Sequence, residues 1–365
     1  MMFDRRLILN FDYLLFFFML FLCGIGIANL YSIGNAEGSS VSTFYLRQAM
    51  WCCAGLFFLF ITLNIPYQFF VRYAYYIHGC MLLLVLCVLI VGATRLGAQR
   101  WLSVGPFSLQ PSEFAKISFI LSLTKYFSET IYSKTLGLRD LVFPFTVLAI
   151  TFLPVFLQPD LGTAGIFCLV FFFFLLFIKI KKKTVFPFFA SIVSLLPFCW
   201  TFLKDYQKKR ILVFLDPSVD PLQSGYQIIQ SKIAVGSGGI FGKGFCKGTQ
   251  SQLRFLPEQH SDFVFSVWAE EWGFIGCCVV LFLLFLIVYR CMSIAFSSKN
   301  MSGSFLAIGI AGLFFIQMFI NICMTIGLFP VVGVPLPFMS YGGSALISNM
   351  IGVGLVLNVG MRRFK

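Results

Sequence analysis

The sequence predicts an all-α, polytopic integral membrane protein with about ten transmembrane helices and one large extracytoplasmic loop between helices 7 and 8. Hydrophobic residues make up 59% of the 365 residues and charged residues only 11%. A soluble domain is closer to half apolar and a quarter charged. The apolar residues also fall in runs of about 20, the length that a helix needs to cross a bilayer. We therefore expect residues 1–365 to form a single transmembrane domain, with the large loop over residues 204–262.

Ten segments of the chain are apolar enough to be candidate spans. They cover residues 11–33, 45–64, 74–94, 110–128, 141–158, 162–180, 185–203, 263–289, 304–328 and 341–361. The fourth is the least regular, because it contains Glu113 and Lys116. The first follows a short basic tail and lacks a small-residue cleavage site, so we expect a retained span and not a removed signal peptide.

The positions of Lys and Arg predict the orientation of the chain. An even number of spans puts both termini on one side, and the segments on that side hold most of the positive charge, including Lys181–Lys183. The opposite short loops carry only Arg47, Arg95 and Arg100. Since cytoplasmic segments are enriched in Lys and Arg, we expect cytoplasmic termini and an external long loop. The net charge of +13 then reflects topology and anionic membrane lipids, not nucleic-acid binding.

The long loop contains two segments with predicted structure. A mixture of basic and apolar residues from Lys204 to Leu212 is typical of a helix that lies along the lipid headgroups. Residues 226–235 predict an amphipathic helix with Ile229, Ile233 and Ala234 on one face. Loops of this length are usually functional, so we expect the site to involve it.

A glycine-rich segment, Gly236–Gly244, resembles a phosphate-binding loop only superficially. A P-loop needs Gly, four residues and then Gly-Lys-Ser/Thr, but here Ser237 replaces the first glycine and Gly244 follows Lys243. Nucleotide binding is therefore excluded. Two alternatives remain: a tight re-entrant turn whose backbone amides approach an anionic ligand, with Lys243 as a substrate-binding candidate, or a simple flexible turn.

Several charged residues near the predicted outer surface have both a structural and a functional interpretation. Glu113 and Lys116 share a helix face and form either a structural ion pair or the charged wall of an outward-facing cavity. Asp160 either caps the sixth helix or binds a cation or a substrate hydroxyl. Arg100 and Trp101 supply a fixed cation and an aromatic plate, which suit a phosphorylated, sugar-bearing ligand.

The segment Leu256–Phe263 concentrates three proton-transfer groups, Glu258, His260 and Asp262, at the head of the eighth predicted span. The structural alternative is that Asp262 or its neighbour caps that helix. Three such groups in so charge-poor a chain are more than a cap requires, and Glu270 and Glu271 follow two turns deeper. We therefore expect a polar track that descends from the outer surface.

Five segments together resemble the SEDS proteins (shape, elongation, division and sporulation), in that family's order. They are Arg100–Lys116, Gln158–Thr163, Gly236–Gly244, Leu256–Phe263 and Ser340–Ser344. The resemblance is closer to the RodA elongation branch than to the FtsW division branch. Ser261 stands where threonine is commoner in the family.

The resemblance implies a ten-helix peptidoglycan glycosyltransferase that polymerises lipid II on the outer face of the bacterial cytoplasmic (inner) membrane. It also implies a class B penicillin-binding protein as transpeptidase partner, together with other proteins of the elongation complex. The family's essential carboxylate corresponds to Asp262, and its cavity charges correspond to Glu113, Lys116 and Asp160. Glu258, His260, Arg100, Trp101 and Lys243 are further substrate-binding candidates.

The chemistry that these residues predict is a single inverting displacement with Asp262 as general base. Lys, Arg or a divalent cation (Mg²⁺ or Mn²⁺) held by Asp160 or Asp262 would stabilise the leaving pyrophosphate. Three alternatives stay open at this stage: a transporter that flips lipid II, a division-type polymerase, and a scaffold that only positions the transpeptidase. A flippase is less favoured, because the charged groups cluster outside and the spans show no inverted repeat.

Overall fold

The structure, a computed structural model, describes residues 9–35, 43–95, 98–104, 107–130, 135–181, 201, 205–216, 219–220, 224–253 and 255–363. These residues are almost entirely helical. The helices are α1 (Tyr13–Asn35), α2 (Phe44–Asn64), α3 (Tyr67–Arg72), α4 (Ala74–Val91), α5 (Pro111–Thr130), α6 (Leu138–Leu157), α7 (Leu161–Leu176), α8 (Asp205–Leu215), α9 (Ser224–Ser237), α10 (Thr249–Gln252), α11 (Val264–Ser297), α12 (Met301–Thr325) and α13 (Gly343–Met361).

The predicted membrane-embedded, all-α class is confirmed. Seven of the described helices are long and apolar enough to cross a bilayer, namely α1, α2, α4, α6, α11, α12 and α13. The fourth predicted span corresponds to α5, and the sixth to α7, a shorter apolar helix. The seventh predicted span, residues 185–203, lies almost wholly outside the described residues, so the total of ten stays a prediction.

The helices divide into a buried centre and a periphery that is exposed to lipid. In α13, 89% of the most apolar window is buried inside the protein, and in α12 78%, against 22% in α4. Gly352 of α13 lies where α5 and α12 meet, close to Ile117 and Phe314. A small residue at such a crossing lets helices approach closely, which in lipid substitutes for the missing hydrophobic driving force.

A three-stranded antiparallel sheet, which sequence analysis did not predict, connects α4 to α5. Its strands are β1 (Ala93–Arg95), β2 (Ala98–Val104) and β3 (Phe107–Leu109), in the order β1-β2-β3. Strand β2 carries Arg100 and Trp101, and Arg100 contacts Pro159 and Asp160 just before α7. The sheet therefore fixes the position of an arginine that the sequence places only in a loop.

Helix α11 is broken at Gly273, which has φ 66° and ψ −162°. This backbone conformation is accessible essentially to glycine alone. Because of the break, the backbone N–H groups of Phe274 and Ile275 do not donate to the carbonyls one turn earlier in α11. Instead, Phe274 donates to the carbonyl of Gly239 at 2.9 Å and Ile275 to that of Ile240 at 3.2 Å.

The glycine-rich segment also satisfies the other side of the break. The amides of Lys243 and Gly244 donate to the carbonyls of Glu270 and Glu271, both at 3.0 Å. The segment is therefore a tight turn that packs into the break of a membrane helix. This geometry matches the tight re-entrant turn, which was one of the two alternatives. These two amides are used internally, so the expected cradle for an anionic ligand is not formed by them. We refer to residues 239–244 as the splice loop.

The predicted helix in the long loop exists as α9, but its buried face differs from the prediction. Ala234 is buried as expected, whereas Ile229 and Ile233 are 41% and 44% exposed. The buried positions are Ile228, Ser231 and Ala234. The prediction was wrong for these two isoleucines because α9 packs on α11 through the face of Ile228, Ser231 and Ala234, where Ser231 shares a hydrogen bond with Ser266 of α11.

We expect Gly273→Ala to lower the apparent melting temperature in detergent. A Cβ at this position would collide with backbone atoms of Gly242 and Ile240, and φ is positive. The strain alone corresponds to about 1–3 kcal/mol. The matched control is Gly79→Ala in α4, where nothing lies within 4 Å of the added Cβ and alanine favours the helix. Equal melting temperatures for the two variants would contradict the close packing of the splice loop against the break in α11.

Candidate functional site

The site is organised by the segment between α12 and α13, residues 326–342, which we call the bridging loop. A Cβ on Gly162, in the first turn of α7, would lie 2.5 Å from the carbonyl oxygen of Val332. One residue further, a Cβ on Gly333 would lie 3.4 Å from Oδ2 of Asp262. The bridging loop therefore brings the start of α7 and the carboxylate of Asp262 to the same place.

Asp262 is presented by a turn just before α11. Its backbone N–H donates to the carbonyl of Glu258 at 3.2 Å. Its own carbonyl accepts from Nδ2 of Asn321, at 3.0 Å, and the same amide group donates to Val334 at 2.7 Å. The N-cap residue of α11 is Phe263, and its side chain makes no capping hydrogen bond. The carboxylate is therefore not used to cap the helix, and the structural alternative for Asp262 is not supported.

The electrostatic environment of Asp262 raises the pKa of its carboxyl group. Its pKa is raised to about 6, first because the carboxyl group is desolvated and then because the Glu258 carboxylate is near. Arg210 and Arg100 act in the opposite direction, as does a hydrogen bond with Ser261. Opposing influences of this kind on the pKa of a carboxyl group are common at catalytic carboxylates. At neutral pH the group is ionised and still close to its pKa.

Arg210 of α8 is a site residue that sequence analysis missed. Its Nη1 donates to the carbonyl of Val331 in the bridging loop at 3.0 Å, and its charge lowers the pKa of Asp262. The neighbouring Lys208 and Lys209 have the same sign, so composition offered no signal to distinguish this one cation. Only the packing of α8 against the bridging loop identifies it.

Asp160 performs the capping role that was one of its alternatives. Its carboxylate accepts from the backbone N–H of Thr163 at 3.2 Å and from that residue's hydroxyl at 2.9 Å. It also lies 3.6 Å from Nη1 of Arg100, and Arg100 donates to the carbonyl of Pro159. Asp160 therefore holds Arg100 at the edge of the site, while Trp101 follows on the same strand.

Glu113 and Lys116 form the buried ion pair that was the structural alternative for them. Both residues are 2% exposed, and Nζ of Lys116 lies 2.8 Å from the carboxylate. A buried charge needs such a partner because its desolvation is expensive. Glu113 lies three residues after Gln110, whose Nε2 donates to Oδ2 of Asp160 at 3.4 Å. A role in a cavity wall stays a prediction.

Glu258 and His260 shape the turn around Asp262. The backbone of Glu258 has φ +49°, and its carbonyl collects the N–H groups of both Ser261 and Asp262. The ring of His260 stacks on Phe44 with centroids 4.7 Å apart, and its carbonyl accepts from Tyr341 at 2.9 Å. Side chains of Glu258 and His260 come within 3.8 Å of each other.

Lys243 lies apart from these residues. Its Nζ is 2.7 Å from Oε1 of Glu270, which also accepts the backbone N–H groups of Gln250 and Ser251. Glu271 accepts a hydrogen bond from Ser32 of α1. In the deeper part of the expected polar track, Glu270 therefore ties the splice loop to α10, and Glu271 contacts α1. No contact among the described residues joins Lys243 to Asp262, so its predicted role in substrate binding gains no support from the geometry.

The acidic residues do not fit a divalent cation held by the protein. In the described part of the chain, no three His, Cys, Asp or Glu side chains gather where they could hold a metal. The oxygens of Asp160 are already used by Thr163 and Gln110, and Arg100 stands beside them. Mg²⁺ held by protein groups alone would require several oxygen ligands, whereas one or two carboxylates suffice when water and substrate phosphates complete the coordination. The positive charge that the described site offers is that of arginine.

Fold and site together define a polytopic membrane protein in which the charges of Arg100 and Arg210 act on the carboxylate of Asp262. The chain belongs to the cell cycle protein family of FtsW, RodA and SpoVE, whose family model matches residues 12–364. It is 40% identical to the peptidoglycan glycosyltransferase MrdB of Escherichia coli (strain K12) over 313 residues, which cover 85% of this chain and 83% of that protein.

Other relatives agree over nearly the whole length. Peptidoglycan glycosyltransferase RodA of Treponema pallidum is 34% identical over 430 residues, with 97% and 98% of the two chains covered. One solved structure, of a peptidoglycan synthase complex that coordinates polymerization and crosslinking, contains a chain with TM-score 0.82 and 33% identity, covering 97% of this chain and 99% of that one. Rod shape determining protein RodA of Thermus thermophilus matches with TM-score 0.72 and 28% identity, covering 97% and 98%.

We expect Asn321→Leu to destabilise the protein by about 1–3 kcal/mol, because it leaves the partly buried carbonyl of Asp262 and the buried carbonyl of Val334 without their donor. The matched control is Gln317→Leu, one turn earlier in α12. Gln317 is equally buried, and within the described structure its amide atoms have no hydrogen-bond partner. This control is expected to be neutral or stabilising. Apparent melting temperatures in the same detergent decide the comparison, and an equal loss in both variants would contradict it.

Proposed function

We propose that this chain is a peptidoglycan glycosyltransferase of the elongation type, which polymerises lipid II with Asp262 as general base. The observation that carries the proposal is the setting of Asp262. It is a carboxylate with a pKa near 6, held by its backbone and not used as a cap, in a protein whose relatives include named peptidoglycan glycosyltransferases. The relative with the highest identity among those described is an MrdB protein, which favours elongation over division.

The reaction joins a sugar hydroxyl to the anomeric carbon of a lipid-linked donor. The 4-hydroxyl loses its proton to the Asp262 carboxylate as its oxygen attacks the anomeric carbon. The bond between that carbon and the pyrophosphate oxygen breaks on the opposite face, so the configuration inverts. General-base assistance of this kind contributes about 10²–10⁴-fold to the rate. The protonated Asp262 then returns its proton to solvent, for which a pKa near 6 is suitable.

Arg100 and Arg210 are the cations that we assign to the pyrophosphate. Both act on Asp262 electrostatically, and both are anchored, Arg100 by Asp160 and Arg210 by Val331. Guanidinium groups suit phosphate because they present several donors in a rigid plane. Pre-positioned positive charge stabilises the negative charge that grows on a leaving group. Trp101 follows Arg100 and is suited to contact a sugar face.

The proposal includes a topology and a partner. The distribution of Lys and Arg supports cytoplasmic termini and a site outside the cytoplasmic membrane, where lipid II is exposed to water. A class B penicillin-binding protein would crosslink the new strands. Support for it comes from the similar chain in a complex that coordinates polymerization and crosslinking. Elongation-complex proteins are further expected partners.

We expect Asp262→Asn to reduce lipid II polymerisation by about 10²–10⁴-fold, because the amide cannot accept the proton. The assay uses purified protein with its transpeptidase partner and labelled lipid II, and follows glycan chains on gels. Glu258→Gln, which changes the nearest carboxylate in sequence but leaves the base, is the matched control and should keep most of the activity. Near-normal polymer from Asp262→Asn would contradict the proposal. If that result came with lipid II crossing proteoliposomes, the protein would be a transporter.

The pH profile of polymerisation tests the same assignment independently. The base is the ionised form of Asp262, so the rate should rise as pH increases through about 6 and fall about tenfold per unit below it. Glu258 raises this pKa and Arg210 lowers it. Glu258→Gln should therefore move the midpoint down, and Arg210→Gln should move it up, whatever their effects on the maximal rate. A midpoint that does not respond to either change would exclude Asp262 as the titrating base.

A further inference from the structure

The tip of the splice loop exposes two large apolar side chains that nothing in the described structure covers. Ile240 is 62% exposed and Phe241 81%, although the backbone on both sides is tied to α11. On α11 the adjoining Phe274 and Ile275 are 66% and 48% exposed. A soluble surface rarely carries so large an apolar patch, so its surroundings must be apolar.

The position of the patch along α11 places it at the edge of the bilayer. At the far end of this helix, Arg290 forms an ion pair with Asp12, which precedes α1. Such a charged pair marks the membrane surface at that end. Gly273 is 17 residues from Arg290, which corresponds to about 26 Å at about 1.5 Å per residue. The hydrocarbon core is about 30 Å thick, so the break lies close to its opposite boundary.

Aromatic residues give an independent indication of the same level. Trp272 stands next to the break and stacks on Trp268 with centroids 5.1 Å apart. Phe245, just after the splice loop, contacts both Trp272 and Tyr31 of α1, with centroids 6.3 Å apart in each case. Trp and Tyr collect where hydrocarbon meets headgroups, because their rings have an apolar body and a polar tip. The splice loop thus starts at the interface.

We propose that Ile240 and Phe241 insert into the lipid leaflet on the same side of the membrane as Asp262 and act as an interfacial anchor. The occupant of the patch is lipid acyl chain, continuous with the lipid that surrounds Phe274 and Ile275. Lys243, two residues further, turns back toward Glu270 and leaves the apolar tip alone in contact with the hydrocarbon. The anchor holds the long loop at the bilayer surface, where a lipid-linked substrate presents its polar head. It does not depend on the proposed reaction.

The test replaces Phe241 by the photoreactive p-benzoylphenylalanine, which is similar in shape and forms a bond to whichever C–H group lies beside it. The variant is irradiated in the membranes of cells that express the full chain, purified, and analysed by intact-protein mass spectrometry. The positive control is the same replacement at Phe282, a 61% exposed residue in the middle of α11. A non-irradiated sample of each variant gives the unmodified mass.

We expect both variants to gain the mass of a phospholipid, and the adduct at residue 241 to form with at least a third of the yield at residue 282. Either of two results would overturn the anchor. One is a crosslink from residue 241 to another protein, which would make the patch a docking surface for a partner. The other is a lipid adduct at residue 282 with none at residue 241, which would place the tip in water. The melting temperature of each variant shows that it is folded.

Discussion

A broken transmembrane helix needs partners for the backbone groups that the break exposes, and this constraint shapes the end of the protein that carries the long loop. In lipid or at its edge, an unpaired amide or carbonyl costs several kcal/mol. The break at Gly273 exposes two amides and two carbonyls, and the splice loop supplies a partner to each. Because the long loop is attached in this way, α9, α10 and the turn before α11 are held against the membrane helices. The ion pair of Lys243 with Glu270 secures the same junction.

The site also depends on the bridging loop, where distant segments of the chain meet. Segments from distant parts of the chain contribute Arg100, Asp160, Arg210 and Asp262, and the bridging loop contacts three of the elements that carry them. Asn321 then ties the backbone of Asp262 to this loop through Val334. The acidity of Asp262 is the balance of desolvation and Glu258 against two arginines. Removing Glu258 would lower the pKa of Asp262, and removing either arginine would raise it.

The charged residues discussed above differ in how far along the chain their partners lie. Lys116 finds Glu113 one turn away, and Asp160 finds the amide of Thr163, so their structural roles follow from spacing. Lys243 and Glu270 are also paired, but across 27 residues. Sequence analysis had taken Lys243 for a substrate-binding candidate and Glu270 for part of a polar track. Asp262 keeps a carboxylate that caps nothing. These carboxylates differ in how many hydrogen bonds and ion pairs hold their side chains, and partners that are distant in sequence become visible only in the fold.

The sequence by itself determined the membrane class, the family resemblance and the helices that the described residues show at nine of the ten predicted places. The choice of Asp262 also came from the sequence, and its catalytic role stays a prediction. These follow from composition, from apolar runs of a fixed length and from motifs in a fixed order, all of which are local properties. Tertiary structure alone decided the small sheet that carries Arg100, the role of Arg210, the clamp by Asn321 and the face that α9 buries. Each of those features depends on which backbone group or small residue lies opposite a given side chain after packing. The periodic pattern of side chains along the sequence does not contain that information.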